Sequence, residues 1–133
     1  MTETQKITTF LMFSGSAEEA MTFYISLFER SKIISITRYG SNEAGKEGTV
    51  QYATFELNGQ QLMCIDSPVQ HPFTFTPAIS LYVSCADEKE IERLFAALSD
   101  KGQMLMPLEA YPFSKKFAWV QDRFGVSWQL NLP

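Results

Sequence analysis

Val50-Gln51-Tyr52-Ala53-Thr54-Phe55-Glu56-Leu57-Asn58-Gly59-Gln60-Gln61-Leu62-Met63-Cys64-Ile65-Asp66 reads as a β-hairpin. Residues 50–57 and 60–66 have strand composition. Asn58-Gly59 between them is a strong two-residue turn signal, because both positions tolerate positive φ. Upstream, residues 32–39 alternate, with Ile34 and Ile36 on one side, and the Gly-, Asn- and Glu-containing segment 40–48 that follows reads as a mobile loop. Further upstream, the apolar and β-branched run 7–13 is predicted to be a strand buried on both faces. Ser16 with Glu19 three residues later forms a capping box. It opens a helix whose apolar stripe is Ala17, Ala20, Met21, Tyr24, Leu27 and Phe28. The order is βαβββ.

Downstream of the hairpin, residues 67–77 hold three prolines and form an irregular connection rather than a flexible tether. The order then repeats. Residues 78–84 read as a buried strand, and Asp87 with Glu90 opens a second helix with Ile91, Leu94, Phe95 and Leu98 on its apolar face. Gly102 is expected to close that helix as a C-cap. A short strand at 104–108 and a loop at 109–116 follow. Residues 117–121 and 126–132 then pair across Asp122-Arg123-Phe124-Gly125. The expectation is one α+β domain over 1–133, with a module at about 6–66, a connection at 67–77 and a second module at about 78–133.

Composition narrows the function classes. Apolar residues are 45% and charged residues 20% of the 133 positions, the profile of a packed globular chain. The formal charge is −4 and Lys115-Lys116 is the only adjacent basic pair, so a nucleic-acid partner is not expected. No apolar run approaches the roughly 20 residues that span a bilayer, and no charged start precedes an apolar core, so a cytoplasmic chain without a membrane partner is expected. Cys64 and Cys85 lie far apart outside any CxxC pattern and are expected to be reduced, buried thiols. The eleven Phe, five Tyr and two Trp fit either a well-filled core or a stacking surface for a flat ligand.

Two stretches carry a resemblance. Ala17-Glu18-Glu19-Ala20-Met21-Thr22-Phe23-Tyr24-Ile25-Ser26-Leu27-Phe28 and Asp122-Arg123-Phe124-Gly125-Val126-Ser127-Trp128-Gln129-Leu130 resemble the two signatures of the PhnB-like branch of the vicinal oxygen chelate superfamily, the glyoxalase, bleomycin-resistance and dioxygenase group. This branch is also described as demethylubiquinone methyltransferase-like, yet no glycine-rich nucleotide-binding turn stands between a strand and a helix here. The resemblance implies two βαβββ modules whose mixed sheets curve around a shared groove with helices outside, commonly completed by homodimerisation.

In metal-dependent members of that superfamily, four side chains of His, Gln or Glu type project from the first and fourth strands of each module. Here the matching positions fall at Thr9, Met63, Ala78 and Gln129, and shifting the alignment to Phe10, Met12, Cys64, Ile65, Ile79 or Ser80 supplies no His or Glu. One amide is too few for a divalent cation, so neither a metal nor another cofactor is expected. Strand alternation from those positions adds Leu11, Phe13, Tyr52, Thr54, Glu56, Gln61 and Ile65 from the first module to the groove lining. From the second it adds Ser80, Tyr82, Trp119, Gln121, Ser127 and Asn131, while Trp128, Leu130 and Leu132 face the helices. Such a lining suits a flat organic ligand, and a plain second core layer fits the same pattern.

Single side chains have bland readings beside the chemical ones. Glu56 and Tyr82 are the candidate catalytic groups, with an exposed strand-end carboxylate as the alternative for Glu56. His71, the only histidine, reads as a surface-loop residue. Asp122 and Arg123 are expected to hold the final turn, and Tyr111-Pro112-Phe113 with Lys115 and Lys116 to form an aromatic, basic loop. The leading expectation is a metal-free protein that binds a small organic molecule, as bleomycin-resistance members do. The alternatives are a metal-dependent or metal-independent lyase, isomerase or dioxygenase of the same superfamily, or a module that binds a protein partner.

Overall fold

A computed structural model describes residues 5–133. The elements run β1 (Thr9–Phe13), α1 (Ala17–Ile25), β2 (Lys32–Arg38), β3 (Val50–Leu57), β4 (Gln60–Asp66), β5 (Ser80–Ser84), α2 (Glu88–Ser99), β6 (Gln103–Tyr111), β7 (Ser114–Gln121) and β8 (Ser127–Leu132). Two compact units divide between Pro72 and Phe73. Each holds one four-stranded sheet, ordered β1-β4-β3-β2 in the first and β5-β8-β7-β6 in the second. The outermost β1 and β5 run parallel to β4 and β8, and every other pairing is antiparallel. The expected α+β repeat of βαβββ is therefore present strand for strand.

In the first unit, the predicted hairpin forms with Asn58 at φ 49° and Gly59 at φ 86°, the backbone that a two-residue hairpin turn demands. Helix α1 buries Ala17, Ala20, Met21 and Tyr24 over the sheet, where Ala53, Phe55 and Cys64 are also buried. Cys64 Sγ lies 3.9 Å from Met21 Sδ, which fixes the helix-covered side of β4.

The start of α1 differs from expectation. Ser16 makes no side-chain cap. Instead buried Asp66, at the end of β4, accepts from the amides of Gly15 at 2.7 Å and Ala17 at 3.0 Å with one oxygen, and from Val50 at 2.9 Å with the other. A carboxylate is the better acceptor for helix-start amides, so it takes the place read as a Ser16–Glu19 box. The loop after β2 is also tied down: Gly45 packs against the ring of buried Tyr39, whose hydroxyl donates to the carbonyl of Asp66 at 3.2 Å. A bulge between Ile33 and Ser35 breaks the predicted alternation of β2, leaving Ile34 exposed while Ile33 and Ile36 are half-buried.

In the second unit, α2 buries Ile91, Leu94 and Leu98, and the sheet buries Ala118, Val120, Trp128 and Leu130. Asp87 caps Glu90 N at 2.8 Å, and Glu90 reaches back to Ala86 N at 2.7 Å, one residue earlier than a standard box. Gly102 is not the left-handed cap. Lys101 takes that conformation at φ 61°, and Gly102 is needed because a Cβ there would stand 2.3 Å from the Gln121 carbonyl oxygen. The segment read as a loop at 109–116 is strand: β6 runs on to Tyr111 and β7 starts at Ser114, with only Pro112 and Phe113 between. Tyr111 and Phe113 stack at 5.5 Å, and both meet Phe117 edge-on. This cluster stabilises a hairpin end whose sequence has no standard turn signal. Asp122 holds its turn as expected, accepting from Phe124 N at 2.8 Å, Val126 N at 3.0 Å and Trp128 Nε1 at 2.8 Å.

The outer strands are not buried on both sides. Phe10 on β1 is 49% exposed, Ile79 just before β5 is 77% exposed and Tyr82 on β5 is 59% exposed. Among the described residues, no helix is long and apolar enough to cross a membrane.

Candidate functional site

Each sheet has one face under its helix and one open face. On the open face of the second sheet, the register sets three cross-strand rows from β5 through β8 to β7. They are Ser80-Ser127-Gln121, Tyr82-Gln129-Trp119 and Ser84-Asn131-Phe117. Directly opposed side chains in such rows touch. Five of the residues singled out from the sequence, Ser80, Tyr82, Trp119, Gln121 and Gln129, thus share one surface. A hydrogen-bond chain ties several of them together. Trp119 Nε1 donates to Ser127 Oγ at 2.8 Å, Ser127 Oγ lies 2.6 Å from Ser80 Oγ, and Gln129 Nε2 donates to Ser80 Oγ at 3.3 Å. Gln121 Nε2 is held by the Gly125 carbonyl at 2.8 Å. These bonds fix the polar side chains in place, which a binding face needs. Strand parity had put Ser127 and Asn131 on this face, but their bonding partners carry no one-dimensional signal.

On the first sheet, Phe10, Met63 and Thr54 form one open-face row, with Gln61 and Glu56 paired beside it. Tyr52 has the same parity and is exposed. Thr9 and Leu11 do not belong to this face. The parallel register pairs Leu11 with Cys64, and Leu11 is buried with it under α1, so Phe10 and Met12 occupy the open side of β1. Phe13, paired with Asp66, is buried on the helix side as well. The candidate catalytic groups fall on different sheets: Glu56 is half-buried beside Gln61, and Tyr82 sits next to Gln129. His71 lies in the connection, half-buried, with Nε2 2.9 Å from Ser67 Oγ.

The positions that the resemblance matches to metal ligands do not fit a divalent ion. In the observed registers Phe10 stands beside Met63 in place of Thr9, and Tyr82 beside Gln129, while Ala78 lies before β5 begins. A thioether, aromatic rings and one amide oxygen do not make an oxygen or imidazole cage. Among the described residues, no group of three His, Cys, Asp or Glu side chains converges anywhere. Both thiols are free and buried. Burial and the charge of Asp66 push Cys64 up to about 12, and burial and Glu90 push Cys85 up to about 11.

The doubled βαβββ order is a fold that the chain shares with a protein described as a glyoxalase-related enzyme. The chain belongs to the 3-demethylubiquinone-9 3-methyltransferase family, whose model matches residues 5–131, and this is the PhnB-like branch that the two signatures indicated. It is 65% identical to a Bacillus cereus protein described as a putative 3-demethylubiquinone-9 3-methyltransferase, PhnB protein, covering 97% of this chain and 100% of that one at TM-score 0.96. A Pseudomonas aeruginosa protein is 25% identical over 97% of this chain and 98% of its own, at TM-score 0.84. The fosfomycin resistance protein FosX of Listeria monocytogenes shares the fold at 10% identity, with 99% and 95% covered and TM-score 0.65. No curated protein matches.

Proposed function

We propose that this chain is a metal-free small-molecule-binding protein of the glyoxalase/bleomycin-resistance type, acting in the cytoplasm as a homodimer. The observation that carries the reading is the open face of the second sheet. There two aromatic side chains, Tyr82 and Trp119, flank Gln129 while the hydroxyls of Ser80 and Ser127 are locked beside it. Aromatic walls with a few fixed polar groups are what a flat organic ligand requires. The first sheet's own open face carries Tyr52 and Met63, side chains of similar character. The ring that the family description names is flat and fits this character. The methyl donor of a Rossmann-type transferase would use free helix-start amides, whereas Asp66 occupies those of α1 and Asp87 caps α2. Exposed apolar side chains on the outermost strands, Phe10 and Tyr82, support the dimer.

The test has two arms. Elemental analysis of untagged protein purified without chelators is expected to find no near-stoichiometric nickel, zinc, iron or manganese. Thermal shift with a panel of flat drugs and quinones is expected to raise the melting point for several of them. A stoichiometric metal would sink the metal-free reading, and a blank panel the small-molecule reading.

A further inference from the structure

The hydroxyl chain on the second sheet has a direction. Ser127 is only 2% exposed, so its hydroxyl proton must meet an acceptor inside the protein. Its oxygen makes two contacts, accepting from Trp119 Nε1 and meeting Ser80 Oγ. A hydroxyl carries a single proton. Were Ser80 the donor between the two, the Ser127 proton would be left buried without an acceptor. Were Ser127 the donor, the proton left over is that of half-buried Ser80, which water or a ligand can meet. Ser80 then accepts twice, from Ser127 and from Gln129 Nε2, so both its lone pairs are engaged. Its own proton is left to point off the sheet. Gln129 gives one of its two N–H groups to Ser80, and Oε1 is the acceptor of the same amide. Tyr82 and Trp119 stand on either side of Gln129 in the same row.

We infer that the open face of the second sheet binds a planar molecule that carries a carbonyl oxygen and an adjacent N–H or O–H on one edge, as a lactam, a cyclic imide or a hydroxy-enone does. The carbonyl accepts from Ser80, the adjacent N–H or O–H donates to Gln129 Oε1, and the ring lies between Tyr82 and Trp119. The inference rests on the small-molecule reading above and narrows its ligand class. Buried Ser127, which does not reach the ligand, is a positioning residue: it sets which way the Ser80 proton points.

Two probes differing by one methyl test it, isoquinolin-1(2H)-one and its N-methyl derivative, each titrated into the full chain and followed by NMR. The chain has two tryptophans, so two indole N–H signals, and Trp119→Phe assigns them. The lactam is expected to shift the Trp119 signal and to bind about tenfold more tightly than the N-methyl compound, the usual worth of one hydrogen bond to a desolvated acceptor. Gln129→Leu is expected to bring that ratio close to one, and Ser80→Ala to weaken both compounds alike. Equal binding of the two probes to the native protein, with Trp119 shifted, overturns the donor–acceptor pairing and leaves the small-molecule reading standing. No Trp119 shift with either probe also overturns the inference, and the broader reading then falls only if the compound panel is blank as well. The probe comparison needs no variant, so a misfolded substitution does not void it.

Discussion

Asp66 is a buried carboxylate on which three segments of the first unit converge. Its two oxygens serve three amides, from the turn before α1, the first residue of α1 and the first residue of β3. Asp66→Ala leaves those donors without a partner and is expected to cost ~3 kcal/mol or more in urea unfolding. Asp66→Asn is expected to cost nearly as much, because one side of the amide must turn an N–H toward another N–H. Glu19→Ala, which would be damaging if the Ser16–Glu19 box existed, is expected to stay within ~0.5 kcal/mol of the parent. Nothing local announces this role. Asp66 follows an apolar run and lies 49 residues from one of its partners, Ala17, so only the parallel pairing of β1 with β4 brings it there.

Elements were readable in the sequence wherever a local rule decided them. The Asn58-Gly59 turn, the α2 stripe and its Asp87 cap follow from positive φ, helical period and side-chain capping, and each is present. Misreadings arose where a partner strand decides. Residues 10–13 are all apolar, so alternation carries no facing information, and only the register with Cys64 puts Leu11 on the helix-covered side. Pro112-Phe113 fits no preferred hairpin turn, yet the Tyr111, Phe113 and Phe117 rings close it. The end of α2 gives a sharp check of the same point. Gly102→Ala is expected to lower stability by ~2 kcal/mol, because the new methyl meets backbone rather than a side chain that can move. Lys101→Gly is expected to raise it by ~0.5 kcal/mol, since the left-handed position is there. Reversed signs in thermal melts would restore Gly102 as the cap.

At the scale of the whole chain, the repeat of strand order is the most legible feature, and it was read from element order with hardly any residue identity between the halves. The candidate site was legible in part for the same reason. Parity within β7 and β8 is regular, so Trp119, Gln121 and Gln129 were placed together, whereas the direction of the Ser127–Ser80 contact needs coordinates. The proposed homodimer belongs to this scale. Light scattering after size exclusion is expected to give twice the chain mass at micromolar concentration. Phe10→Lys, which charges an exposed edge-strand position, is expected to shift the protein toward monomer without lowering its helix content. A native monomer at that concentration would count against the dimer.

Each unit also encloses a single sulfhydryl, Cys64 in one and Cys85 in the other, both shielded and held protonated far above neutral pH. Iodoacetamide attacks only the ionised, uncovered form, so the two positions act as independent clocks of how often their surroundings breathe. If peptide mass spectrometry finds both alkylated at one rate across a denaturant series, the halves open in concert. If the rates part company as denaturant falls, each βαβββ half keeps its own time.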